Sequence, residues 1–186
     1  MDTRSIIKAY KRLNLPGASA ELEYFRTLPS LVVCIDSASH AINSKGNKFK
    51  HQWRIRKITL SQAKGILIAN IQSIKKVASF DELFVLIDRL LHSIKGIGEL
   101  YIYDTSLRIG AYLGYLPKKV YLHAGTRIGA KKLGFANKVA IEMSELPDEL
   151  QELEPFEVED ILCIFKDKLK AVKESQDLIS NQTNKE

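Results

Sequence analysis

The chain has 186 residues and a mass of 21.0 kDa, with 45% hydrophobic and 27% charged side chains, which is apolar material for one core and too little chain for two large domains. No run of about 18 uncharged apolar residues occurs, which argues against a membrane span and a membrane partner. The start, Met1-Asp2-Thr3-Arg4-Ser5-Ile6-Ile7-Lys8, lacks the apolar stretch and small-residue cleavage site of a secretory signal, so the expectation is a cytoplasmic protein.

The distribution of charge says more than its sum. The net charge is +6, yet residues 1–141 carry +14 (23 cations against 9 acids) and residues 142–186 carry −8 (5 against 13). Between Asp36 and Asp81 stand nine Lys or Arg and no acid, and between Asp104 and Glu142 seven Lys or Arg and no acid. Two purely basic stretches suit an anionic polymer; the competing reading is that the acidic end neutralises the basic body within the fold.

In chain order, residues 2–14 have helical spacing of Ile6, Ile7, Tyr10 and Leu13, with a stop expected at Leu15-Pro16-Gly17. Ser19 is the expected cap of the next helix. Leu31 to Ile42 keeps helical spacing despite its β-branched residues. Asn43 to Lys48 has loop composition and leads into Lys48-Phe49-Lys50-His51-Gln52-Trp53-Arg54-Ile55-Arg56-Lys57. Thr59 and Gln62 fit a capping box that opens a helix from Leu60 to about Val77. Ser79-Phe80-Asp81-Glu82 starts another, with the stripe Leu83, Phe84, Ile87, Leu90 and Leu91. It runs into Ile94-Lys95-Gly96-Ile97-Gly98. A helix of Thr105 to Leu113 follows, capped by Asp104 or Thr105, then a short helix from Thr126 to Leu133 closing at Gly134. Glu154-Pro155 precedes a last helix, Phe156 to Val172. The expected class is all-α: one helical domain over residues 1–173 with an acidic helical segment at 142–173, and a polar, disordered tail at 174–186.

The sharpest local signal is a helix that ends in Gly96-Ile97-Gly98 and is followed by a second helix. Glycines let such a turn take unusual backbone angles and let phosphate approach main-chain N–H groups. The following helix adds its positive end. A Gly-x-Gly after a helix is also a common helix stop.

From Thr59 to Gly134 the order of helices, glycine turn, helix and loop resembles the helix-hairpin-helix DNA glycosylase superfamily. That resemblance implies a helical fold, mostly sequence-independent DNA backbone contacts through Lys95, Gly96, Ile97 and Gly98, and excision of a modified or damaged base. Two departures stand out. Glu99-Leu100-Tyr101-Ile102-Tyr103 is extra in the hairpin, and no Asp stands in the later loop Val120-Tyr121-Leu122-His123-Ala124-Gly125-Thr126-Arg127. Since the usual mechanism needs that carboxylate, the fold transfers better than the activity. The blocks around Gly96 to Thr105, Val120 to Arg127, and Glu159-Asp160-Ile161-Leu162-Cys163 with Lys166-Asp167 also resemble a bacterial family of uncharacterised proteins, which implies no activity.

As chemistry, the candidate catalytic residues are Asp104, in place of the missing carboxylate, and His123, to orient a water or hold a flipped base. The bland alternatives are a helix cap for Asp104 and a satisfied half-buried histidine for His123. Arg108, Thr126, Arg127, Lys131 and Lys132 are candidate phosphate contacts. So are Lys50, His51, Gln52 and Arg54, where cations alternate with aromatics, while Trp53 is expected as a core anchor. Tyr101, Tyr103, Tyr112, Tyr115 and Tyr121 suit base stacking or, more often, core and rim.

Other chemistries have little support. No P-loop, dinucleotide-binding or Gly-x-Ser-x-Gly motif is present. His40, His51, His92 and His123 show no ligand spacing, and Cys34 and Cys163 stand far apart in apolar company as expected reduced core residues. Neither cofactor nor metal is expected. The expected partner is DNA; the alternative is a non-enzymatic module that docks an acidic protein.

Overall fold

The computed structural model describes residues 2–169, so the expected polar tail and residues 170–172 of the expected last helix lie outside the described residues, while within them that helix already ends at Ile164. The protein is mostly helical. The described elements are α1 (Thr3–Leu13), α2 (Leu15–Arg26), α3 (Leu31–Ser39), α4 (Lys57–Ala69), α5 (Ile71–Lys76), α6 (Phe80–Leu91), α7 (Glu99–Leu113), β1 (Lys119–Tyr121), α8 (Ala124–Lys132), β2 (Ala140–Glu142), α9 (Asp148–Gln151) and α10 (Pro155–Ile164). Their contacts divide the chain into two units. One is Pro16–Pro117; the other joins residues 2–15 to residues 118–169.

In Pro16–Pro117, α7 packs on α3 and α6, and α4 packs on α3 and α6. Fully buried Phe25, Ile35, Leu67, Leu83, Ile87 and Ile109 contribute to its interior; removing such side chains from water is the main stabilising term. Ser30 and Ser79 cap α3 and α6, each accepting a hydrogen bond from a backbone N–H three residues on.

Three of the boundaries that differ from the sequence reading have a clear local reason. Leu15-Pro16-Gly17 opens α2 instead of separating two helices, because the first turn needs no N–H from a proline. The segment expected as one helix from Leu60 to Val77 begins earlier, at Lys57, and breaks at Asn70, whose side chain donates to the Ile66 carbonyl at 2.8 Å. Thr59 is therefore inside the first turn and buried. Finally, α7 starts at Glu99, directly after Gly98. The residues Glu99 to Tyr103, expected as extra hairpin, are its first turn and a half, and Asp104 lies inside the helix with no capping role.

In the other unit, β1 and β2 form a short antiparallel pair with Val120 opposite Ile141, two strands not anticipated from the sequence. Strand β1 and helix α8 pack on α10, and α1 packs on α9 and α10. The core includes Ile6, Tyr10, Val120, Ile141, Val158 and Ile161. Tyr10 donates from its hydroxyl to Oδ2 of Asp160 at 2.9 Å, and burial, reinforced by that carboxylate, pushes its pKa up.

Candidate functional site

The site in Pro16–Pro117 is built around a carboxylate that the sequence singled out. Oδ2 of Asp104, on α7, lies 2.7 Å from Nε2 of His51, 2.6 Å from Nε2 of Gln52 and 3.3 Å from NH2 of Arg108. The pair Asp104 and Arg108 is an i, i+4 ion pair with side chains 13% and 7% exposed. Arg108 NH1 also donates to Gln52 Oε1 at 3.1 Å, and the guanidinium sits 4.1 Å over the Phe49 ring. Burial pulls the Arg108 pKa down, and the Asp104 charge opposes it. Because a buried guanidinium without a partner is costly, this network fixes the turn Lys50–Gln52 onto α7.

Fixing the turn decides what it shows to solvent. Gln52 is buried, whereas Lys50, His51 and Arg54 are exposed and line one open cleft with Trp53. Trp53 is 72% exposed, so it is no core anchor. Lys48 turns inward and donates from Nζ to the carbonyls of Trp53 and Ile55 at 3.2 and 2.5 Å, which holds the loop from below. The cationic residues Arg54, Arg56 and Lys57 all remain exposed.

The glycine turn packs against the first turn of α4, the helix that follows this loop in the chain. Gly96 has φ of +93°, a backbone state that side chains other than glycine rarely adopt, and a Cβ built on it would stand 3.9 Å from Cγ2 of Thr59 in the first turn of α4. Lys95, Gly96 and Gly98 are exposed and Ile97 is partly buried. Gly98 is the N-cap of α7, a 15-residue helix, and supplies no side-chain cap.

Arg108 and Thr126 are buried, with their polar groups engaged inside the fold. Lys131 is exposed and Lys132 partly exposed at the end of α8, and Arg127 donates to the Leu122 carbonyl at 2.9 Å. Of the five tyrosines, Tyr101, Tyr103 and Tyr121 are buried and Tyr112 and Tyr115 half-buried. Asp104 and His123 belong to different units, each with partners of its own.

His123 is the N-cap of α8. Its backbone N–H donates to Oγ1 of Thr126 at 2.7 Å, and the Gly125 N–H donates to its Nδ1 at 3.3 Å. Its Nε2 lies 2.5 Å from Oε1 of Glu159 on α10, and both side chains are almost fully buried. Four residues on, Cys163 completes a group in which a histidine nitrogen, a carboxylate oxygen and a thiol sulfur lie within 4.8 Å of one another. Sequence reasoning missed Glu159 and Cys163. The available signal was their i, i+4 spacing, which places two side chains on one helix face; nothing local linked that pair to His123, 36 residues before Glu159.

No protein-family model, curated protein or solved structure matches the chain. Among the described residues, no helix is long and apolar enough to cross a membrane.

Proposed function

We propose that the protein binds DNA through the surface of Pro16–Pro117 formed by the 50–57 loop and the Gly96 turn, making mostly backbone contacts. The observation that carries this reading is Trp53, exposed in a cleft with Lys50, His51 and Arg54. A large aromatic ring left in water costs hydrophobic stabilisation, and a flat ring among cations is the arrangement that stacks on bases while its neighbours meet phosphates. The acid-free stretch from residue 37 to residue 80 keeps competing carboxylates of that segment off the surface. Exposed Lys95 in the Gly96 turn adds a further cation.

In this reading Asp104 is a positioning residue. Its Oδ2 is shared among Arg108, His51 and Gln52, which makes it the anchor of the loop. No base-excision step is assigned to it.

The test is fluorescence anisotropy of a labelled duplex against the full chain at several salt concentrations. Log affinity should fall linearly with log salt, with a slope worth several phosphates. Lys50→Glu with Arg54→Glu should weaken binding for every sequence tried. Absence of binding at low salt, or unchanged binding by a folded double variant, overturns the proposal and turns the search to an acidic protein partner.

A further inference from the structure

The geometry points to a second site in the other unit: we propose that His123, Glu159 and Cys163 bind one zinc-class divalent ion. The three donors are the types that such ions take, imidazole nitrogen, carboxylate oxygen and thiolate sulfur. Since all three atoms lie within 4.8 Å of one another, a point between them is at most about 2.8 Å from each, against zinc bonds of about 2.3 Å to sulfur and 2.0–2.2 Å to nitrogen or oxygen. Small side-chain movements close that gap. The His123 to Glu159 contact of 2.5 Å has to open, because two ligands of one ion stand farther apart than a hydrogen-bonded pair.

The backbone is arranged to bring this set together. A Cβ on Gly129 would lie 2.3 Å from the Leu162 carbonyl oxygen, so only glycine there lets α8 come this close to α10. A Cβ on Gly125 would press on Cys163 Sγ at 3.2 Å and His123 Cε1 at 3.3 Å, so glycine also keeps open the space beside the imidazole and thiol. The His123 backbone is fixed by Thr126 at the start of α8, and the opposite side is supplied by an i, i+4 pair, Glu159 and Cys163, on one face of α10.

Charge and solvent access agree. Thiolate and carboxylate together neutralise a divalent ion; binding releases the thiol proton and moves the imidazole proton from Nε2 to Nδ1, which gives up its contact with the Gly125 N–H, so one proton leaves per ion and affinity rises with pH. Glu159 and His123 are 5% and 3% exposed, whereas Cys163 is half-buried, so the ion enters and takes an exchangeable fourth ligand on the Cys163 side. Three protein donors with one position left is the coordination of zinc sites that hold water.

The experiment is cobalt titration of the untagged full chain, followed by absorbance. One Co²⁺ per chain should bind, with a thiolate-to-cobalt charge-transfer band in the near ultraviolet. Cys163→Ser should abolish the band and Cys34→Ser should keep it. Zinc should displace the cobalt, raise the thermal midpoint of the native chain, and protect Cys163 from iodoacetamide. Because His123 also caps α8, His123→Ala can fail to fold; Cys163→Ser replaces one atom and keeps the test decisive, with circular dichroism as its check. A missing charge-transfer band, a band that survives in folded Cys163→Ser, or Cys163 alkylated equally fast with and without zinc overturns the site. DNA binding is read separately, so either proposal can fail alone.

Discussion

Oδ2 of Asp104 accepts contacts from both His51 and Arg108, at 2.7 and 3.3 Å, and so ties an exposed loop residue to a buried cation one turn along α7. Asp104→Ala leaves the Arg108 guanidinium buried without its counter-charge and releases the loop. The expected loss is about 3 kcal/mol, measured as the shift in urea midpoint. Asp104→Asn keeps one acceptor and costs less. Equal stability of Asp104→Ala and wild type would show that the network holds nothing.

Trp53→Ala separates binding from folding. The side chain is 72% exposed, so the thermal midpoint should stay within a degree or two of wild type, about the effect of an ordinary surface change. DNA affinity should fall by about 1–3 kcal/mol, the contribution of one stacked base. As the chain has a single Trp, its fluorescence quenching by DNA reports the same contact directly.

Two glycine variants test different constraints. Gly129→Ala meets the Leu162 carbonyl oxygen at 2.3 Å and should cost at least about 1–3 kcal/mol, as overpacking does. Gly96→Ala has free space but needs φ of +93°, a strain of about 1–2 kcal/mol. It should also weaken DNA binding, whereas Gly129→Ala should not when folded protein is compared. Urea melts and anisotropy on the same samples decide both points.

Alkaline pH should destabilise the protein through groups buried in their neutral form. Burial pushes the Cys34 thiol up to about 12 from 9.0, and the Tyr101 phenol up to about 12 from 10.0. For both, the folded state favours the protonated form, so their contribution is complete below the ordinary pKa and is lost as pH rises toward 12. Above pH 9 the expected slope is about 1 kcal/mol per pH unit for the first group to titrate. Urea midpoints from pH 8 to pH 11 measure it, and Cys34→Ala should flatten the part between 9 and 10.

Most helices were legible in the sequence because their signals are local. Ser79 and the apolar stripe of α6 act within one or two turns, and Gly134, with φ of +93°, ends its helix where the sequence places the stop. The errors are local too: Pro16 in a first turn satisfies the same rule as Pro16 after a helix end, and Asn70 breaks a helix that periodicity alone carries through. Strands of three residues, such as β1 and β2, are too short for an alternating pattern to show.

Composition and order along the chain determined a mostly helical protein with a basic body, an acidic end and a glycine turn between helices. Tertiary structure decided which polar residues face outward. Gln52 and Arg108 look like phosphate contacts in sequence, yet both are spent on Asp104, and that leaves Trp53 outside. It also decided what meets His123: Glu159 stands 36 residues away, and its approach depends on how closely α8 packs on α10 at Gly129. Backbone propensity acts over a few residues, while burial and charge pairing are settled only when distant segments meet.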